Sequence, residues 1–216
     1  MQEHSGPFSM HLDTGPKRTA VNKTLRAAAI VSAVGGALAQ RIEAQHAARD
    51  VRMMPNLIRT GLFAPIAIPD DRNGVKLLSV GSLEEISGFD NLLDAFAVLQ
   101  RSGRRVQRRI VGTGSLHETL SARLSELSLD SVTTLLGARS RSETASIVAD
   151  SHAYICSSRH ETFEIAAAEA LSVGRPVVTT RCGGLESIRR RYMRRCGRAL
   201  RRACLGRRHP PHVAAH

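Results

Sequence analysis

Tryptophan is absent from these 216 residues, and aromatic residues make up only 3% of them. Hydrophobic residues reach 42%, so a core is within reach, and it has to be built from aliphatic side chains. Long apolar runs are missing too. The longest, Ala27–Ala39, is Gly/Ala-rich and falls short of the roughly 20 residues a membrane-spanning helix needs. The opening stretch MQEHSGPFSMHLD has no basic segment ahead of an apolar run, so it reads as no secretory signal and the expected location is cytosolic. Only four cysteines occur (Cys156, Cys182, Cys196, Cys204), with no Cys-x-x-Cys pair and no His/Cys ligand spacing. That argues against a disulfide framework or a zinc site. Cys156 and Cys182 fall in or beside expected strands and read as buried thiols of a reducing compartment.

Acidic residues are missing from the C-terminal region, which is rich in Arg. The net charge is +12, but residues 189–216 hold ten Arg and no acid, which leaves 21 basic against 19 acidic residues elsewhere. The basicity therefore belongs to the tail, and the body is nearly neutral. Apart from Tyr192 the tail has no interleaved aromatic residue, so it lacks the stacking platforms of single-stranded nucleic-acid binding. Attraction to acidic lipid or nucleic acid through charge alone stays open.

What is present is a regular alternation. Helical spacing is expected over Lys17–Ala28 and Gly35–His46, with short strands at Ala29–Ser32 and Val51–Pro55. Gly61–Gly74 carries Pro and Asp and reads as a connector. From Val75 onward, apolar strands are expected at Lys76–Val80, Gln107–Val111, Val132–Leu136, Ala153–Cys156 and Pro176–Thr180. Helices are expected between them, at Phe89–Gln100, Ser115–Leu127, Ser142–Asp150 and Phe163–Ser172, with Ser115 and Ser142 as N-cap candidates. Continuous apolar strands alternating with helices predict an α/β fold, a doubly wound parallel sheet covered on both faces. Ligands of such sheets lie beyond the carboxyl ends of the strands.

The most informative stretch is His160–Gly184, HETFEIAAAEALSVGRPVVTTRCGG. Glu161 precedes an expected helix start and Glu169 lies about two turns inside it. Eight residues at 1.5 Å each separate them by roughly 12 Å. The free backbone N–H groups of Phe163, Glu164 and Ile165 lie between, where a helix N-terminus favours an anion. The simpler reading keeps Glu161 as a helix-dipole partner and Glu169 on a solvated face. Gly112-Thr113-Gly114 and Gly81-Ser82 follow strands and fit either a phosphate loop or an ordinary strand-to-helix turn. His4, His11 and His160 carry no pattern that marks a catalyst.

Taken in order, these pieces resemble a retaining glycosyltransferase of the GT-B fold, from the "glycosyl transferases group 1" family (family 4). The similar segments are Glu3–Phe8, Ile30–Val34, Met54–Phe63, Ser79–Asp90, Val111–Gly114, the Glu161/Glu169 pair and Arg175–Thr180. The resemblance implies a Rossmann-like donor domain at 69–188, a remnant of the acceptor-side domain with its linker at 1–68, and a disordered Arg-rich tail at 189–216. It also implies transfer of a sugar from a UDP- or GDP-linked donor to a glycan or lipid-linked acceptor. The nucleotide-sugar would be a co-substrate, with no resident cofactor and no metal ion for the chemistry. Glu161 would be the catalytic residue touching the donor sugar, and Glu169 would hold the ribose. Gly81, Ser82, Ser87, Gly112, Gly114, Phe163, Glu164 and Ile165 would line the rest of the donor site. A peripheral place at the inner face of a membrane, in building surface glycans, would suit such an enzyme.

Several departures from that pattern stand out. Ser82 and Ser87 occupy positions where the family usually has Arg and Lys, and Glu164 one where it usually has Gly. The chain starts inside the acceptor-side domain, and after Ile188 the composition changes as a G/C-rich gene read out of frame would change it. An inactive nucleotide-sugar-binding fragment is therefore the second expectation.

Overall fold

The computed structural model describes residues 15–45 and 50–184. The segments expected at Glu3–Phe8 and in the basic tail lie outside the described residues. Helix α1 (Gly15–Ala27), strand β1 (Val31–Ala33), helix α2 (Gly36–Ala44) and strand β2 (Val51–Met53) come first. There follow β3 (Val75–Val80), α3 (Phe89–Arg101), β4 (Val106–Val111), α4 (His117–Glu126), β5 (Thr133–Gly137), α5 (Arg141–Ala149), β6 (Ala153–Cys156), α6 (Ile165–Val173) and β7 (Val177–Thr179). No helix among the described residues is long and apolar enough to cross a membrane.

β1 and β2 pair in parallel as a small separate sheet, and the other five strands form a parallel sheet in the order β5-β4-β3-β6-β7. This is the expected doubly wound α/β arrangement. The order runs outward from β3 in one direction and then restarts beside it with β6, so the topological switch point lies between β3 and β6. Pairing of β3 with β4 continues to Val80–Val111, whereas pairing of β3 with β6 stops at Leu78–Tyr154. Beyond that rung the two strand ends carry no ladder bonds to each other, and a crevice opens at the carboxyl rim.

Two apolar layers cover the sheet. On one face α3 and α4 bury Leu92, Leu93, Phe96, Leu120 and Leu124 with Ile110 of β4. On the other, α5 and α6 bury Ala145, Val148, Ala167 and Ala170 against Leu78 and Tyr154, and the same core continues into Leu38, Ile42 and Val51 of the small sheet. Ala-rich α6 lets its backbone approach the strands closely, since small side chains set the packing distance.

Local detail differs from expectation at several places. Ser115 does not cap α4: the residue before that helix is Leu116, without a side-chain cap. Ser115 instead gives its amide (2.8 Å) and hydroxyl (2.6 Å) to Glu84. Nor does Ser142 cap α5. Ser140 does so, in a reciprocal capping box with Glu143, which satisfies two orphan donors at once. α6 begins at Ile165 rather than Phe163, because Glu164 adopts φ 66°, ψ 75° and a left-handed residue cannot continue the helix backward.

The connector is not free either. Phe63 is fully buried, its carbonyl accepts the Ser172 hydroxyl at 2.7 Å, and the Ile66 amide donates to the carbonyl of Val173. Arg175, also fully buried, donates to the carbonyls of Ala67, Val148 and Ala149. One guanidinium thus holds the connector against the C-terminal end of α5.

Candidate active site

The loops after β3 and β6 are tied together across the switch point. A 3-10 turn, Glu85–Ser87, follows β3, and Gly88 leaves it at φ 63°. A Cβ there would stand 2.3 Å from the Ser157 carbonyl oxygen, so only glycine lets the two loops meet this closely. The Ser157 hydroxyl donates to the Ser87 carbonyl at 2.8 Å, and the Arg159 amide to that of Ile86 at 2.8 Å. Arg159 also pairs with Asp90 at 2.5 Å and donates to the Glu85 carbonyl.

Between these loops lies a cavity of about 70 Å³. Its lining brings together five of the expected site residues, Gly81, Ser82, Ser87, Glu161 and Glu164. Ser82 and Ser87 face each other there with hydroxyl oxygens 3.4 Å apart. Among the described residues no Lys, Arg or His contributes to the lining.

The remaining expected residues sit outside the cavity. A Cβ on Gly112 would lie 1.8 Å from the Gly81 carbonyl oxygen, and one on Gly114 would lie 2.5 Å from that of Leu83. Both glycines are thus explained by backbone packed on backbone, with Leu83 N–H donating to the Thr113 carbonyl and Leu116 N–H to the Leu83 carbonyl. Phe163 is buried. The amides of Phe163, Glu164 and Ile165 have no hydrogen-bond acceptor among the described residues. Gly184 packs closely on this segment. A Cβ on it would come 2.8 Å from the Phe163 nitrogen and 2.9 Å from the Glu161 Cβ.

Glu169 is not on a solvated face. It is 3% exposed and forms an ion pair with Arg141 at 2.5 Å, close in distance though not aligned as a hydrogen bond. Burial raises its pKa and the Arg141 charge opposes that shift. Arg141 also lies over the Phe63 ring, 5.5 Å from its centre. Glu161 and Glu169 are therefore separated in environment: one opens on the cavity, the other is engaged beneath Arg141.

The electrostatics of the cavity centre on Glu164. Its Oε1 lies 2.8 Å from the Tyr154 hydroxyl, which is also 3.0 Å from the Val80 carbonyl. Burial first, then the charge and hydrogen bond of neighbouring Glu161, push Glu164 up to about 8. A phenol has a single proton, so if Val80 receives it, Glu164 has to supply the other hydrogen bond as a neutral acid. The Tyr154 hydroxyl is itself shifted upward by burial and by Glu164. Behind it, Cys156 and Cys182 are both buried, and a hydrogen bond between them, with burial, pushes the Cys156 thiol up. The result is an acid–carboxylate pair with its own hydrogen-bond support and, among the described residues, no cationic side chain in the lining.

Sequence reasoning missed Tyr154 and Ser79, which also line the cavity. The signal for Tyr154 was a lone tyrosine in an otherwise aliphatic strand pattern. Ser79 carried a comparable signal as the hydroxyl within KLLSV. Among the described residues no group of three or more His, Cys, Asp or Glu is placed to hold a metal ion.

Comparison with known proteins places this geometry in context. The family model "Glycosyl transferases group 1" matches residues 74–199. A phosphatidylinositol N-acetylglucosaminyltransferase subunit of Arabidopsis thaliana is 29% identical over 138 residues, 64% of this chain and 31% of that protein. D-inositol 3-phosphate glycosyltransferase of a Nocardioides species is 30% identical over 163 residues, 68% of this chain and 35% of its own length. The chain thus spans about a third of the curated relatives it matches. Among solved structures, Anabaena Alr3699/HepE in complex with UDP-glucose superimposes with a TM-score of 0.72 at 22% identity, over 86% of this chain and 54% of that one. That likeness concerns the fold.

Proposed function

Because the chain belongs to the glycosyl transferases group 1 family, we propose that it supplies the donor-binding half of a sugar transferase. The carrying observation is the cavity at the sheet's switch point, where Glu161 meets Gly81, Ser82 and Ser87, followed in the chain by three backbone amides without acceptors among the described residues. Doubly wound sheets bind ligands at this point, and oriented free amides favour an anion. In this reading the donor is a UDP- or GDP-linked sugar, whose diphosphate meets the amides of Phe163, Glu164 and Ile165. Glu161 touches the sugar. Glu169 reaches the ribose once Arg141 shares or yields its carboxylate. Transfer proceeds with retention, as in family 4, to a glycan or lipid-linked acceptor, and the nucleotide-sugar serves as co-substrate rather than a resident cofactor.

The assignment of 69–188 to donor binding, 1–68 to the acceptor side and linker, and 189–216 to a basic tail is part of the same proposal. So is a cytoplasmic location, at the inner membrane face. Isothermal titration of the full chain with UDP-glucose and a GDP-linked sugar, beside a product assay, tests it. Binding of neither nucleotide-sugar would remove the reading. A second reading, binding without turnover, is favoured by the lack of any Lys or Arg among the described residues of the cavity lining, because a leaving diphosphate needs charge stabilisation. Binding with no product in the paired assay selects it.

A further inference from the structure

Arg108 is a buried charge with no counter-charge among the described residues. It lies in β4, 1% exposed, with its guanidinium over the Phe96 ring of α3, 5.4 Å from the centre. Nη1 donates to the side-chain oxygen of Gln100 at 3.0 Å, a neutral, exposed residue near the end of α3. Nε and Nη2 have no hydrogen-bond partner among the described residues. Burial lowers the Arg108 pKa, with no neighbouring carboxylate opposing the shift. A guanidinium nonetheless keeps its proton in a protein, so the charge remains and still calls for a partner.

The two unpartnered nitrogens form a matched pair. Nε–H and one N–H of Nη2 point the same way, as the parallel fork that takes two oxygens of a carboxylate or a phosphate. A second buried group stands beside them. Thr133, in β5, is the ladder partner of Arg108, so both side chains leave the sheet on the same face. Thr133 is 4% exposed, and its hydroxyl also lacks a partner. Buried donors left unpaired are costly, and here three of them come from neighbouring positions on adjacent strands. We propose that Arg108 and Thr133 form a binding site for a small oxyanion, a carboxylate or a phosphate, held by the Nε/Nη2 fork and the Thr133 hydroxyl.

A fork of two parallel N–H groups favours paired oxygens over a spherical halide. Because Gln100 is exposed, the guanidinium lies just beneath the surface, and rotation of that side chain gives a small ion access. Neither Arg108 nor Thr133 lines the cavity at the switch point. That cavity lies at the carboxyl rim, whereas Arg108 and Thr133 occupy the amino-terminal halves of their strands. The oxyanion site is therefore separate from the donor site, and the inference does not rest on the transfer reading. A bound oxyanion would tie β4 to β5 and stabilise the fold by mass action.

The test is isothermal titration of the full chain with inorganic phosphate and, separately, with acetate, at an ionic strength held constant with chloride. Thermal unfolding is followed in the same solutions. Other arginines attract anions too, so the readout is the difference between wild type and variants. A saturable component of about one oxyanion per chain is expected in wild type and should be lost in Arg108→Met, which keeps the length of the side chain without its charge. Arg108→Lys keeps the charge but not the fork and should weaken that component roughly tenfold; Thr133→Val should weaken it severalfold. The unfolding midpoint should rise with the oxyanion in wild type and far less in Arg108→Met. Without oxyanion, Arg108→Met should be at least as stable as wild type, since an apolar chain replaces an unpaired buried charge. Phosphate alone producing the component assigns a phosphate site, and competition by acetate assigns a carboxylate site. Equal titrations in wild type and Arg108→Met, or a midpoint that responds equally in both, would leave these donors to water and overturn the proposal. UDP-glucose titration keeps the two sites apart. Nucleotide binding retained in Arg108→Met while the oxyanion component is lost supports the separate site, and loss of both overturns it. A wild-type chain that binds oxyanion but no UDP-glucose removes the donor-site reading alone.

Discussion

The folded chain should lose stability steadily between pH 5 and pH 8, and Glu164→Gln should remove most of that loss. In the fold, Glu164 sits at about 8 because burial and Glu161 disfavour its charge. In the unfolded chain it returns to about 4.3. Between those values the folded state keeps a proton that the unfolded state has released, so stability falls as pH rises. The contribution is complete below about pH 4.3 and is gone once the pH passes about 8. A tenfold change in proton affinity corresponds to about 1.36 kcal/mol, which sets a ceiling near 5 kcal/mol. Sharing of the proton with Glu161 lowers the expectation to about 3–4 kcal/mol. Urea denaturation at pH 5, 6.5 and 8 gives the readout. With a slope of about 1–3 kcal/mol per molar urea, the wild-type midpoint should fall by more than about 1 M, and that of Glu164→Gln by far less. Parallel pH dependence in the two proteins, or a flat wild-type midpoint, would refute the argument that Glu164 is held neutral.

Arg141→Ala removes the cation beside buried Glu169 and should destabilise the chain by about 1–3 kcal/mol, below the full cost of stripping a buried pair because Arg141 is 53% exposed. Thermal unfolding should record a fall of several degrees, and Arg141→Lys should recover part of it; an unchanged midpoint would show that Glu169 does not need the pair. Gly112→Ala places a Cβ on the Gly81 carbonyl at φ 146° and should cost more than about 3 kcal/mol. Gly103→Ala, at φ 70° in open space, should cost only about 1 kcal/mol; equal losses in a denaturant series would contradict the packing account. Ser140→Ala should cost about 1 kcal/mol through its capping box, and Ser142→Ala close to nothing, a ranking that calorimetry of the two variants decides.

Chain pattern alone was enough for the βα alternation from Val75 to Thr179, because apolar strands stopped by Gly81 and Gly112 and helices with a regular apolar stripe are local properties. It also located the HETFE segment at a strand-to-helix junction. The capping box at Ser140 and Glu143 was equally local, in the spacing Ser-x-x-Glu, and the choice of Ser142 passed over it. Tertiary structure alone decided the rest. Strand order put β3 beside β6, and that adjacency brings Ser79, Ser82 and Ser87 to Glu161 and Glu164. Glu169 reads as an exposed helical carboxylate until folding places Arg141, 28 positions earlier, against it and Phe63 beneath that guanidinium. The glycines at 112 and 114 look like a ligand loop in the chain and are backbone-to-backbone contacts in the fold. Periodicity reports which faces are apolar. The charge state of Glu164, the empty hydroxyl of Ser79 and the partner of Glu169 depend on neighbours distant in sequence, because burial and Coulomb interactions act through space.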